Sequence, residues 1–149
     1  MELPHGVTGF WHAEDSPPLQ CGLRSFRSHC YTAARLLNGR VIETSDGVYR
    51  SYARATLDLP DRVITVLLNA FIPIVAFAKP MQERDVVVEI IDHSDLAKIF
   101  RDFGVYKVPD LLELTARPTL EICKHLTPIE TQQVKYWEPQ TVAEIIFNW

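Results

Sequence analysis

Histidine and cysteine side chains lie close together at two places in the chain, and such pairs can hold a metal or form a nucleophile. The two places are His29-Cys30 and Cys123-Lys124-His125. A structural zinc site needs two pairs of ligands at short, regular spacings, and neither pair has a second pair at such a spacing. The sequence therefore predicts no metal site. A thiol that meets a distant histidine through the fold stays open as an alternative.

The segment Asp92-His93-Ser94-Asp95 contains the side chains of a hydrolytic triad in consecutive positions. Neighbours in a chain rarely reach triad geometry, so the segment is better interpreted as the start of a helix. Asp92 or Ser94 would then cap that helix. The chain also lacks a G-x-S-x-G elbow, a Walker A loop and an H-E-x-x-H motif. We therefore expect no catalytic residue, no cofactor and no enzymatic activity.

A predicted strand from Val48 to Leu57 places arginine and tyrosine side chains on one of its faces. Successive side chains of a strand alternate between its two faces. Arg50, Tyr52 and Arg54 then point one way, while small residues such as alanine and serine point to the core. Tyrosine and arginine are enriched among the residues that dominate protein interfaces. We therefore expect these three side chains to face solvent or a partner.

Charge is divided unevenly along the chain, whose formal net charge is −4. Residues 1–80 carry eight basic and seven acidic side chains, whereas residues 81–149 carry seven basic and twelve acidic ones. This balance disfavours nucleic acid as a direct ligand and favours attraction of a basic partner. The alternative is an ordinary solvated helical surface. The acidic residues expected to bind a partner are Asp92, Asp95, Asp102, Asp110 and Glu113.

These side chains must be positioned by a helix followed by a sheet. Apolar residues at spacings of four, three and four predict a helix from Arg24 to Asn38, which Gly39 is expected to end in a left-handed conformation. Asp46-Gly47 predicts a tight hairpin turn. Pro73 predicts an edge or a bulge in its strand, and the strand order stays open. The strands are predicted at Arg40–Ser45, Val48–Leu57, Val63–Asn69, Phe71–Ala78 and Val86–Ile91.

The remainder of the chain has a helical pattern. One helix is expected to end at Gly104, and two more to begin at Thr127 and Thr141, where capping boxes occur. The fold class predicted is α+β, an antiparallel meander of about five strands with an N-terminal helix and C-terminal helices packed on the sheet. The helices are expected on one face, in a single domain over residues 1–149. Without a membrane-length apolar stretch or a signal peptide, we expect a cytoplasmic protein.

Three segments of the chain together resemble a known class of small bacterial proteins. They are Gly6–Trp11, the pair Asp46–Arg50 and Val66–Asn69, and the tail Lys135–Trp149. The tail resembles the endings of immunity proteins encoded beside polymorphic or contact-dependent growth-inhibition toxins. The resemblance implies a protein that binds the C-terminal domain of a cognate toxin, commonly a nuclease, and neutralises it by stoichiometric inhibition. It implies no cofactor and no membrane.

Two other functions stay open from the sequence. One is a small cytoplasmic enzyme that uses a cysteine and a histidine in a cleft. The other is an adaptor subunit of a larger assembly. A reactive thiol of low pKa would favour the enzyme, whereas buried and inert thiols would count against it.

Overall fold

The computed structural model of the protein describes residues 1–11, 22–46, 51–82 and 88–148. No helix in these residues is long and apolar enough to cross a membrane. The helices and strands, in chain order, are α1 (Leu23–Leu36), β1 (Arg40–Ser45), β2 (Tyr52–Asp58), β3 (Val63–Asn69), β4 (Val75–Ala78), β5 (Ile90–Ile91), α2 (Ser94–Asp102), α3 (Leu111–Thr115), α4 (Pro128–Trp137) and α5 (Val142–Ile146).

The five strands form one antiparallel sheet whose spatial order is the same as their order in the chain. The predicted α+β meander, with one helix before it and helices after it, is confirmed. β4 lies between β3 and β5, so the strand that follows Pro73 is central. Its predicted start at Phe71 was too early, because only Val75–Ala78 pair as a strand. Of the predicted fifth strand, Ile90–Ile91 pair, and residues 83–87 lie outside the described part.

The connection between β1 and β2 differs from the predicted tight hairpin. Ser45 pairs with Arg54, so residues 46–53 lie between these paired positions. A two-residue turn at Asp46 and Gly47 would have paired Ser45 with Val48 instead. The register therefore shows that the prediction of a tight turn there is wrong.

Both faces of the sheet are covered, which corrects the prediction that the helices lie on one face. On the first face, α1 and α2 pack on alternate side chains of the strands, among them Ala55, Val66 and Phe77. On the second face, residues of the N-terminal segment, α3 and α5 pack on the intervening side chains, among them Leu67 and Ala76. β2, β3 and β4 are consequently buried at successive positions, not at every second one.

Helix α1 ends differently from the prediction, because Asn38 and not Gly39 has the left-handed conformation. Asn38 has a φ of 60°, and the Gly39 N–H donates to the Ala34 carbonyl at 2.8 Å. Glycine is still needed at position 39. A Cβ there would lie 2.4 Å from the Asp58 carbonyl oxygen, inside any normal contact distance. The glycine therefore allows α1 to approach β2 closely.

The start of α2 also corrects a prediction. The cap is His93, whose Nδ1 accepts a hydrogen bond from the Leu96 N–H at 3.2 Å, and not Asp92 or Ser94. The Thr127 and Thr141 caps of α4 and α5 are confirmed. Helix α3 was not predicted; its start is a reciprocal capping box between Asp110 and Glu113.

The buried side-chain amide of Asn69 ties three separate parts of the chain together. Its Nδ2 donates to the carbonyl oxygens of Val7 at 2.7 Å and Ile146 at 2.6 Å. Its Oδ1 accepts from the N–H groups of Phe71 and Ile72, both at 2.9 Å. The last residue of β3 therefore anchors the N-terminal segment, the end of α5 and the turn before β4.

A buried carboxylate, Glu130, fixes the same N-terminal segment to α4. One oxygen accepts from the Gly6 N–H at 2.8 Å and the Thr127 N–H at 3.2 Å. The other accepts from the N–H and the hydroxyl of Thr8. Although the glutamate is fully buried, its oxygens are satisfied by four donors. Charge-assisted hydrogen bonds of this kind make burial of a carboxylate tolerable.

We expect Asn69→Ala to lower the free energy of unfolding by about 3 kcal/mol, because it removes four hydrogen bonds and leaves the Val7 carbonyl and two N–H groups without their partner, while the Ile146 carbonyl keeps the Ser51 hydroxyl. Urea unfolding followed by circular dichroism measures this change. Gln132→Ala removes an exposed amide from α4 and should change the stability by less than about 0.5 kcal/mol. An Asn69→Ala effect as small as that of the control would contradict the anchoring role.

Candidate functional site

The five acidic residues predicted to bind a partner are not equivalent in the structure. Asp92, Asp95 and Asp102 are exposed, and no described residue forms an ion pair with their carboxylates. Asp95 and Asp102 are seven residues apart on α2 and therefore lie on the same side of the helix. Lys98 and Arg101 share its exposed surface, so the patch has mixed charge with an acidic excess.

Asp110 and Glu113 have structural partners instead. The Asp110 carboxylate accepts from the Glu113 N–H at 2.8 Å, which caps α3. A carboxylate oxygen of Glu113 lies 3.7 Å from the N-terminal amine of Met1. A charge reversal at either residue would therefore disturb α3 as well as the surface potential. Asp92, Asp95 and Asp102 are the positions at which charge can be tested separately from folding.

A small cleft brings Asp92 and Asp110 to the same site. It lies where β4, β5, α2 and α3 meet and holds about 190 Å³. Its apolar lining includes Phe77, Ile91 and Val108, and Asp92 and Asp110 add carboxylates that come from the segments before α2 and α3. We call this site the α2–α3 cleft. Arg101 also lines the cleft, so the two carboxylates leave its lining with an acidic excess of one charge. An apolar lining with an acidic excess fits a ligand that has an aliphatic stem and a cationic end.

The sequence did not indicate some of the residues that line this cleft, among them Ser94, Arg101 and Leu111. Arg101 lies on α2, and its Nη2 donates to the Val108 carbonyl at 2.8 Å, which holds the chain between α2 and α3. The sequence pattern that could have predicted α3, and with it this cleft, is the Asp110-x-x-Glu113 spacing, which is typical of a capping box at the start of a helix. From the sequence, Asp110 and Glu113 were interpreted only as two of the five acidic residues expected to bind a partner.

The predicted Arg50-Tyr52-Arg54 surface is not exposed as expected. Tyr52 and Arg54 are both buried, and Arg50 lies outside the described residues. The prediction assumed that one face of β2 meets solvent, whereas both faces of the sheet are covered. The ring of Tyr52 packs edge-on against the ring of Phe147, with 6.0 Å between the ring centroids. The Nη2 atom of Arg54 lies 3.0 Å from a carboxylate oxygen of Glu43. The prediction that Tyr52 and Arg54 face solvent or a partner is therefore wrong.

The described cysteines lie in poor environments for a nucleophile. Cys30 is completely buried in the core between α1 and the sheet, and burial raises the pKa of its thiol. Cys123 is partly buried, and burial raises its pKa as well. Both shifts disfavour the reactive thiolate. Cys21 lies outside the described residues.

Three of the described histidines, His29, His93 and His125, contact groups other than cysteine. His29 contacts the Tyr106 hydroxyl through Nδ1 at 2.6 Å and stacks on Phe103 at 4.1 Å between ring centroids. His93 Nε2 lies 3.2 Å from Asp61 Oδ2, and His125 Nε2 lies 2.9 Å from a Glu2 oxygen. Among the residues that the structure describes, no group of three or more potential metal ligands occurs.

Parts of the segments that carry the sequence resemblance meet on the second face of the sheet. The Val7 carbonyl, Asn69 and the Ile146 carbonyl are joined directly by hydrogen bonds. In the tail, Asn148 exchanges two hydrogen bonds with Ser51, at 2.8 Å each. The residues of these segments that form these hydrogen bonds therefore have a structural role, because they attach both ends of the described chain to the sheet.

Comparison with known proteins gives no relative: no protein-family model, no curated protein and no solved structure matches the chain. The function must therefore be argued from the geometry described above.

We expect Cys30 to resist alkylation in the folded protein and Cys123 to react slowly, with an onset at higher pH than a free thiol. The reason is the raised pKa, since only the thiolate reacts. Iodoacetamide labelling over a pH series, read by mass spectrometry in a Cys21→Ser background, measures both rates. Rapid labelling of either thiol near neutral pH would support the alternative of a cysteine enzyme.

Proposed function

We propose that this chain is an immunity protein, which binds the C-terminal domain of a cognate toxin and neutralises it by stoichiometric inhibition. The single observation that supports this proposal most is the α2–α3 cleft, with exposed carboxylates beside an apolar lining. The proposed partner is a basic nuclease domain, met in the cytoplasm. No cofactor, direct nucleic-acid contact or membrane contact is part of the proposal.

The size of the cleft favours a protein partner over a free small molecule. Pockets for small molecules commonly measure about 300–1,000 Å³. The α2–α3 cleft, at about 190 Å³, is below that range and is suited to a single side chain. A lysine or arginine from a basic partner would place its aliphatic stem against Phe77, Ile91 and Val108. Its charge would then meet Asp92 and Asp110.

The surface around the cleft supports the same proposal. Asp102 lies in the last turn of α2, where the helix dipole makes a carboxylate unfavourable. Leu112, which follows the cleft residue Leu111 on α3, is 83% exposed. The unfavourable position of the Asp102 carboxylate is explained if a basic partner covers this surface. Leu112 would add an apolar contact to such an interface.

The enzyme alternative receives less support from the described residues. The burial of Cys30 and its raised pKa argue against this thiol as a nucleophile. His29 contacts a tyrosine hydroxyl, His125 a carboxylate, and His93 both a carboxylate and the backbone N–H that it caps. These arrangements are typical of helix caps and surface pairs. They provide no observation that favours catalysis over binding.

The direct test is co-expression of this protein with the toxin domain encoded beside its gene. The proposal expects a one-to-one complex that survives purification and restores growth of cells making the toxin domain. An interface of standard size, about 1,600 Å² in total, would suffice for such a complex. Absence of both the complex and the rescue would rule out immunity against that toxin.

We expect the triple variant Asp92→Asn, Asp95→Asn and Asp102→Asn to slow association with the partner about tenfold at low salt and to weaken its salt dependence. The reason is that these exposed carboxylates attract a basic partner before contact. Stopped-flow fluorescence at several ionic strengths measures the association rate.

A matched control separates the local position from the net charge. Asp102→Asn and Gln132→Lys each change the net charge by +1, but Gln132 is an exposed residue of α4. Only Asp102→Asn should slow association. Equal effects from the two variants would mean that overall charge, and not the α2–α3 face, governs the encounter.

A further inference from the structure

The opposite edge of the sheet contains a group of polar residues that the proposed partner binding does not use. The cross-strand pairs Glu43–Thr56, Ser45–Arg54 and Thr56–Thr65 place all five side chains on the second face. Arg54, Thr56 and Thr65 are buried there, whereas Glu43 at the edge strand is 46% exposed. We call these five residues the Arg54 corner.

The guanidinium of Arg54 is the unusual feature of this corner. Its side chain is only 2% exposed, and its Nη2 donates to the Glu43 carboxylate at 3.0 Å. The buried Nε and Nη1 atoms have no hydrogen-bond partner among the residues that the structure describes. Three of the five N–H groups of the guanidinium belong to these two nitrogens.

Such an arrangement is energetically unfavourable without a further acceptor, and an anion would also balance the charge. Each buried donor without a partner costs about 1–3 kcal/mol, and more when the group is charged. Arginine cannot relieve this cost by losing its proton. Glu43 balances the charge only partly, because it contacts one nitrogen and its own carboxylate is nearly half in solvent. The Arg54 corner therefore contains a buried positive charge and N–H donors, on Nε and Nη1, that have no acceptor among the described residues.

The neighbouring hydroxyl groups extend the set of donors. Thr56 Oγ1 and Thr65 Oγ1 are 3.4 Å apart, so one or both retain a free donor or acceptor site. Ser45 lies directly across from Arg54 on β1. A guanidinium on the same sheet face as several hydroxyl groups provides the kinds of donor that bind the oxygen atoms of a phosphate or a carboxylate.

We propose that the Arg54 corner is a binding site for a small oxyanion, of the phosphate or carboxylate class, which the Arg54 guanidinium holds beside the hydroxyl groups. Because the guanidinium is buried, the ligand is a small ion or the anionic group of a small molecule. The Glu43 carboxylate, which is bonded to Nη2, has the same sign as the anion and opposes its binding at Nε and Nη1. The site is separate from the α2–α3 cleft, since β1 and β5 are opposite edges of the sheet.

The test uses inorganic phosphate and acetate as separate probes on the whole protein. Unfolding temperature is measured by differential scanning fluorimetry against probe concentration, with chloride keeping the ionic strength constant. The proposal expects a rise that saturates with at least one probe, since a ligand that binds only the folded state stabilises it. The probe that saturates identifies the subclass of anion. A response that is absent or strictly linear with both probes would overturn the proposal.

Variants then locate the site. Glu43→Gln removes the opposing carboxylate and should tighten binding of the anion about tenfold. Arg54→Met should abolish the saturable rise. Since loss of Arg54 could also impair folding, Arg54→Lys provides a second variant, which keeps the charge but loses the planar donors and should weaken binding.

The matched control is Arg40→Gln on the same edge strand. Arg40 is 76% exposed and pairs with Asp58 at 3.5 Å, so its loss changes the local charge but not the Arg54 corner. It should leave the dissociation constant unchanged within about twofold, as expected for a screened surface charge. If Arg40→Gln weakens binding as much as Arg54→Lys, or if Glu43→Gln weakens it, the site is elsewhere and the proposal fails.

Discussion

The second face of the sheet depends on the four hydrogen bonds of one buried amide, that of Asn69. Its Nδ2 holds carbonyl groups that are 139 positions apart in the chain, those of Val7 and Ile146. No other type of side chain of that size offers two donors and two acceptors in one plane. A leucine at this position would fill the space but leave the Val7 carbonyl without this donor, and the Ile146 carbonyl with only the Ser51 hydroxyl at 3.0 Å. The amide therefore specifies which segments meet over β3, and the apolar contacts then fill the space around them.

This polar anchoring compensates for the short elements on the second face. α3 and α5 have five residues each, whereas α1 on the first face has 14. A five-residue helix is unstable in isolation, because helix nucleation is costly and little surface is available for burial. Side-chain caps and the contacts of Asn69, Glu130 and Asn148 supply the missing constraints. One face is thus held mainly by a long amphipathic helix, and the other by buried hydrogen bonds between distant segments.

The sequence predicted those elements whose signal is local. The four-three-four spacing of Phe26, Cys30, Ala33 and Leu37 predicted α1, and threonine caps predicted α4 and α5. The failures came from tertiary context. Arg54 was expected in solvent because alternation on β2 was interpreted as one core face and one exposed face, whereas residues far along the chain cover both. Asn69 was predicted only as the end of a strand. Its hydrogen bonds to Val7 and Ile146 could not be predicted, because these residues are far from it in the chain and a local pattern does not indicate them. The acidic set was found by charge, but only the structure separates the capping residue Asp110 from the exposed Asp95.

The covered faces also determine where this fold can bind other molecules. A meander with one exposed face would offer a broad surface for recognition, and the Arg50-Tyr52-Arg54 prediction assumed such a surface. With both faces buried, the places left are the edges of the sheet and the outer sides of the helices. At the β5 edge, α2 and α3 leave a cleft bordered by carboxylates. At the β1 edge, the mostly exposed strand leaves Glu43 half in solvent and Arg54 behind it. The two proposed sites therefore lie at opposite edges of the sheet, with an acidic excess at one and a buried cation at the other, so that binding at one would not block the other.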